Sequence, residues 1–334
     1  MIKVLHISTA KSFRGAEHII ANLCNTITTK YDNYLFCPTN ADLVKKVNSK
    51  KVFTYNKLMG YDLLAGKKLN SIIKKEKINL LHIHDSHGLN LLQIINFLGN
   101  KTKAIVHRHV DFKINHPKKY QQKNIVAIIV VNKNSYEKLK HINKNIFLIY
   151  NGIDVVSITN QTKIKNSFVF VGNLSEEKNP LAFIEILNRL HEQNNLVQAH
   201  IFGDGSLKSD VVSAIQNRPF IKYHGFVEHI VEAIQEYEFL ISTSSKEGFP
   251  LNILEAMSQK LLVVAPNING INDILNSENA ILYNDRNEVI NQIASIMNNE
   301  NQKEKIIKNA FQTVQEFSTT NMIQQIHNLY NSYI

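Results

Sequence analysis

Two doubly wound α/β domains in tandem are the fold class this sequence predicts, on three observations. Short apolar, β-prone runs alternate with segments of helical period. The alternation stops once, at a polar stretch near residue 160, and then restarts. The 334 residues suit two cores better than one.

In the first half the expected strands are residues 2–7, 80–84, 104–106, 125–131 and 146–150, and Cys37 ends a further one. Between the first strand and Cys37, Ala16, Ile19, Ile20, Leu23 and Ile27 recur on one helical face. Residues 157–166 have no apolar period and read as the interdomain linker. Strands then resume at 168–171, 200–202, 221–223, 239–241, 262–265 and 281–283. Met322, Ile323, Ile326, Leu329 and Tyr330 mark a last helix, capped by Ser318 or Thr319. The expected domains are 1–155, with helix 318–334 packing back on it, and 156–317.

Charge divides the chain more sharply than hydrophobicity does. Residues 1–150 hold 25 Lys and Arg against 8 Asp and Glu, a net +17; the rest hold 13 against 20, a net −7. A basic half suits an anionic acceptor or an anionic membrane surface. Nucleic acid is not expected, because no aromatic-interleaved basic motif or zinc spacing is present. No run reaches the length of a membrane span, and the first apolar run is too short for a signal peptide. Cys24 and Cys37 lack metal spacing and read as buried thiols of a reducing cytoplasm.

The most informative stretch is Glu247-Gly248-Phe249-Pro250-Leu251-Asn252-Ile253-Leu254-Glu255. It follows the strand at 239–241. Gly248 frees the backbone, and Pro250 fits the first turn of a helix. Leu251, Leu254 and Met257 continue at helical spacing, so Glu255 lies about one turn into that helix. Glu247 lies in the loop at the strand's carboxyl end, where open α/β sheets place ligands. Two acids so placed can accept hydrogen bonds from one polyhydroxylated ligand. Taken singly, each also reads as an ordinary loop or first-turn acid.

Other segments add candidates. Ser8 to Glu17 turns into a helix at Gly15, where a ligand could approach backbone N–H groups. Neither Gly-x-Gly-x-x-Gly nor a P-loop pattern occurs. His82, His84, His87, His107 and His109 cluster at strand ends. Alternation puts His82 and His84 on one face with no acidic support, so metal is not expected, and His109 is the candidate acid/base or hydroxyl partner. Lys178 stands just before a helix opened by Pro180, placed to hold a phosphate.

Together these segments resemble the retaining glycosyltransferases of the GT-B fold, family 4, from near residue 1 to about 320. Phe13–Glu17 resembles the family's Gly-Gly-Ala-Glu loop, with Arg14 at the first Gly. Leu81–Asp85 resembles its His-x-His strand end, and Asn151-Gly152-Ile153-Asp154 its interdomain link. Phe202-Gly203-Asp204-Gly205, His224-Gly225-Phe226-Val227 and Asn269-Gly270-Ile271-Asn272-Asp273 are similar to three donor-domain turns. Glu247 to Glu255 match Glu-x7-Glu.

The resemblance implies a transfer of sugar from a nucleotide diphosphate, with retention, to an anionic or lipid-linked glycan. Lipopolysaccharide, capsule and related cell-surface glycans are the implied products. The first domain would hold the acceptor and the second the donor, in the cytoplasm, with peripheral contact to an anionic membrane. Glu247 would bind donor-sugar hydroxyls, Glu255 the ribose, and Lys178 the diphosphate. Gly15, Arg14 and Gly203 would line the donor site, with backbone at Phe249, Pro250 and Leu251. His109 would sit beside the reacting sugar. No metal or other cofactor is implied, which fits the lack of Asp-x-Asp. Asn173 stands where the family usually has Arg, so one diphosphate cation is missing, with Arg14 and Lys246 as its possible replacements. A catalytically impaired nucleotide-sugar-binding partner is the alternative reading.

Overall fold

The computed structural model describes residues 1–13, 15–26, 28–48, 51–57, 62–111, 114, 116–155, 162–194 and 196–334. Two compact units emerge: Met1–Gly152 with Thr319–Ile334, and Ile153–Ser318. The units carry the same split of charge, since residues 319–334 contain no Lys, Arg, Asp or Glu.

Unit one runs β1 (Ile2–Ile7), α1 (Gly15–Asn25), β2 (Tyr31–Pro38), β3 (Val52–Tyr55), α2 (Leu63–Glu76), β4 (Leu80–Ile83), α3 (Ser86–Phe97), β5 (Lys103–Arg108), β6 (Ile125–Val130), α4 (Lys133–Leu139) and β7 (Ile146–Leu148). All pairings in its sheet are parallel, in the order β3-β2-β1-β4-β5-β6-β7. Val4, Leu5, Leu80, Leu81 and Ile128 have no exposed surface, as expected of strands covered on both faces.

Unit two repeats the plan: β8 (Ile164–Val171), α5 (Pro180–Gln193), β9 (Gln198–Phe202), α6 (Lys208–Ile215), β10 (Ile221–Gly225), α7 (Ile230–Ile234), β11 (Tyr237–Ile241), α8 (Leu251–Ser258), β12 (Leu262–Pro266), β13 (Ile281–Tyr283), α9 (Arg286–Met297) and α10 (Glu300–Glu316). Its sheet is parallel, ordered β10-β9-β8-β11-β12-β13. In both sheets the order reverses beside the first strand of the unit, so loops after β1 and β4, and after β8 and β11, diverge at a switch point.

The last helix, α11 (Thr319–Tyr333), returns to unit one. Met322, Ile326, Leu329 and Tyr330 pack with Val4, Ile19, Leu80 and Ile129.

The structure departs from the sequence reading at three places. The boundary falls after Gly152 rather than at 155/156, because Ile153 donates its N–H to the Phe317 carbonyl (2.9 Å) and bridges Ser318. The stretch expected as linker ends inside β8: Ile164 pairs with Tyr237, and Asn166 takes a left-handed φ of 56° where the register shifts. Residues 156–161 lie outside the described residues. β3 was not among the expected strands. Cys24 and Cys37 are buried and unbonded, and burial pushes the Cys37 thiol up to about 12.

Candidate functional site: a lysine–glutamate pair at the strand ends of unit two

The site forms where two loops leave adjacent strands, one from β8 to α5 and one from β11 to α8. Several hydrogen bonds tie the loops together. Ser245 N–H donates to the Glu177 carbonyl (2.7 Å). The Thr243 hydroxyl reaches the carbonyls of Lys178 (3.0 Å) and Asn179 (2.8 Å). Asn252 Nδ2 donates to the Val171 carbonyl (2.7 Å), tying α8 to the end of β8.

These ties bring Lys178 and Glu247 together across 69 positions of sequence. Lys178 Nζ is paired with Glu247 Oε1, and the Ser244 hydroxyl donates to the same oxygen at 2.8 Å. Glu247 is buried while the Lys178 side chain is 24% exposed, so the cation is the partner facing outward. A buried ion pair needs such added hydrogen bonds to offset the loss of hydration.

Glycines set the backbone around the pair. At Gly203 φ is 141°, and a Cβ there would lie 1.8 Å from the Gly172 carbonyl oxygen. At Gly205 a Cβ would meet Leu174 backbone at 2.5 Å. Gly203 thus lets the end of β9 close on the end of β8, where Gly172 N–H donates to the Phe202 carbonyl (3.0 Å). Gly270 has φ of 88°, and its missing Cβ leaves room for the Glu247 carbonyl, 2.6 Å from where that atom would sit. The 267–273 turn therefore supports Glu247 from behind.

Phe249 and Pro250 are buried, and Leu251 opens α8. Pro250 is the residue before the helix rather than its first residue, with φ −86° and ψ 85°. Glu255 follows in the second turn. Its carboxylate has no hydrogen bond or ion pair among the described residues, and burial alone pushes it up to about 7. Asn173 is exposed at the end of β8 and Lys246 is exposed in the β11–α8 loop. Arg14 lies outside the described residues. Gly15 starts α1, exposed.

His109 belongs to a different environment, in unit one. Five histidines, His6, His82, His84, His107 and His109, are buried at the ends of β1, β4 and β5. His6 and His82 are register partners, and the His107 and His109 rings stack at 3.9 Å. Burial pulls His6 and His109 down to about 4, and His82, His84 and His107 well below the ordinary imidazole value. His109 is therefore neutral at pH 7. Asp85, the last residue of the His-x-His segment, accepts from Thr9 N–H (2.5 Å), Thr9 Oγ1 (2.9 Å) and Gly88 N–H (2.8 Å), so it both caps α3 and fixes the β1 loop.

Sequence reasoning did not single out Ser244, Thr243 or Asn252, which assemble the pair. The run of small hydroxyl residues from Ser242 to Ser245, directly after an apolar strand, was the available signal.

A two-unit parallel α/β architecture of this kind is the fold of solved GT-B glycosyltransferases. Residues 13–156 match the family described as Glycosyltransferase Family 4, and residues 165–299 match Glycosyl transferases group 1. The chain thus carries these two glycosyltransferase domains in that order. It is 26% identical to the Escherichia coli UDP-Gal:alpha-D-GlcNAc-diphosphoundecaprenol alpha-1,3-galactosyltransferase, over 98% of this chain and 96% of that one. It is 24% identical to the Staphylococcus aureus capsular polysaccharide biosynthesis glycosyltransferase CapH, over 80% and 82%. The crystal structure of Anabaena HepE with UDP superimposes with a TM-score of 0.83 at 17% identity, covering 99% of this chain and 100% of that one. The lipopolysaccharide outer core galactosyltransferase WaaB gives 0.79 at 16% identity, with both chains fully covered.

Proposed function

We propose that this glycosyltransferase homologue moves a sugar from a nucleotide diphosphate to a lipid-linked or anionic glycan, with retention and without a metal, in the synthesis of a cell-surface polysaccharide. The observation that carries the reading is the Lys178–Glu247–Ser244 cluster, followed on α8 by a buried Glu255 that has no partner among the described residues.

Each group has a role that its environment suits. Lys178, the exposed member of its pair, turns to the diphosphate and stabilises the charge that grows as the glycosidic bond breaks. Glu247, relieved of that cation and steadied by Ser244, accepts hydroxyls of the donor sugar. Glu255 is an unspent acceptor for the two ribose hydroxyls. Backbone at Phe249, Pro250 and Leu251, and at Gly203, completes the part of the donor site that unit two supplies. His109 stands beside the reacting sugar as a neutral ring. At the usual Arg position Asn173 offers a hydrogen bond and no charge, leaving Arg14 or Lys246 to supply the second cation.

The relatives favour turnover over a partner that only binds. CapH is described as a capsule enzyme and the E. coli relative acts on a diphosphoundecaprenol. HepE has been solved with UDP and with UDP-glucose. Among the described residues no helix is long and apolar enough to cross a membrane. Unit one, at net +17, is the part suited to an anionic acceptor or an anionic cytoplasmic membrane face.

The test is a screen of nucleotide sugars against diphosphate-linked polyprenol glycans, with the product's anomeric proton read by NMR. Transfer from one donor with retained configuration is expected. Inversion, or no transfer and no hydrolysis of any donor, contradicts the proposal.

A further inference from the structure

The buried histidines of unit one are joined in a directed chain. Asn33 is at its root. Its Nδ2 donates to the Leu23 carbonyl at 2.8 Å, which fixes the amide and leaves Oδ1 as an acceptor. Oδ1 faces His6 Nε2 at 3.4 Å, so that nitrogen carries the proton. His6 is neutral, hence its Nδ1 is a lone pair. His84 Nε2 lies 3.0 Å from it and must be the donor. The same logic makes His84 Nδ1 an acceptor, and His109 Nε2, 3.1 Å away, its donor. His109 is left with a bare Nδ1, buried and beside the Asn151 carboxamide.

We propose that Asn33, His6 and His84 are positioning residues that lock His109 in the Nε2–H tautomer, so that it offers only a hydrogen-bond acceptor at Nδ1. Asn151 ends the chain and must turn its Nδ2 toward that lone pair. As placed, Asn151 Oδ1 and His109 Nδ1 are both buried without a hydrogen-bond partner, and exchanging the two amide atoms puts a donor where Oδ1 stands. Asn151 is also the residue at which the Asn-Gly-Ile-Asp segment leaves unit one. The consequence for transfer rests on the function proposed above: His109 can receive a sugar hydroxyl in exchange for Asn151, but it has no proton to give a leaving group.

A metal is the competing use of these rings. Two three-histidine groups bring ligand nitrogens within 4.8 Å, His6/His82/His84 and His84/His107/His109. Both need His84, whose two ring nitrogens already serve the chain. No carboxylate belongs to either group to balance a buried cation.

Imidazole 15N NMR of the full chain at pH 7 tests this whether or not the protein transfers sugar. The expected pattern is Nε2–H at His6, His84 and His109. An Nδ1–H tautomer at any of the three, or metal retained by the purified protein and bound at these rings, overturns the proposal. A substitution probes direction. In Asn33→Asp the new carboxylate favours a charged His6, which then donates from Nδ1. Both His84 and His109 should flip to Nδ1–H. Charged His6 with His109 still Nε2–H contradicts the relay, and a residue with a merely structural role at position 33 would not move the tautomer of His109.

Discussion

The two units share one architecture and use their strand ends for opposite electrostatics. Unit one lines its strand ends with five buried, neutral histidines, although its net charge is +17. Unit two, at net −7, places a Lys–Glu ion pair and a spare carboxyl in the equivalent position. The fold supplies only the place. What fills it decides whether a unit can hold a diphosphate, which needs a cation and donors, or can only present shape and a few acceptors.

Acid should separate the units most. His6 and His109 have folded values near 4 against 6.5 unfolded, so their stabilising effect is complete above about pH 6.5 and is lost as pH falls toward 4. At pH 5 each has cost roughly 2 kcal/mol, about 4 together, before His82, His84 and His107 are added. In unit two His200 is the one histidine lowered to about 4. Hydrogen exchange at pH 7 and 5 should show unit one opening first; equal loss in both units would break the contrast.

Backbone closeness is the next lever. Gly203→Ala pushes a methyl into the Gly172 carbonyl, and a destabilisation of about 3 kcal/mol is expected, confined to unit two. A melting temperature within a degree or so of the parent protein would mean that β8 and β9 do not need that approach.

The smallest effect concerns Glu255. Its folded value is raised, so the folded state holds a proton that the unfolded chain releases, and stability falls as pH rises from about 4.5 to 7. Glu255→Gln should remove that slope. Nucleotide binding should strengthen several-fold in the parent protein from pH 6 to 8, as the carboxyl ionises, beyond any change seen in the Gln variant. Parallel pH profiles in the two proteins would remove the acceptor role from Glu255.

Much of this was legible before the fold was known. Apolar runs such as 239–241 and 262–265 are buried on both faces, so hydrophobicity alone marks them. β3 escaped because it is a short edge strand with only Tyr55 buried, giving no apolar run. Glu247 and Glu255 were visible from spacing. Their partners were not, because Lys178 meets Glu247 only through the pairing of β8 with β11, which spacing does not encode. His82 and His84 could be placed on one face by alternation. The stack with His6 depends on the β1–β4 register, and its direction depends on Asn33, which only the pairing of β2 with β1 brings near His6.

The most direct measurement is the transfer rate of Glu247→Ala beside its nucleotide affinity, in a protein that melts like the parent. The account predicts a fall of roughly 10²-fold or more in kcat with nucleotide binding largely kept, because the lost contacts are to the sugar and to Lys178. An unchanged rate would contradict it, since the ion pair at the strand ends of unit two would then be a feature of the fold and not of the chemistry.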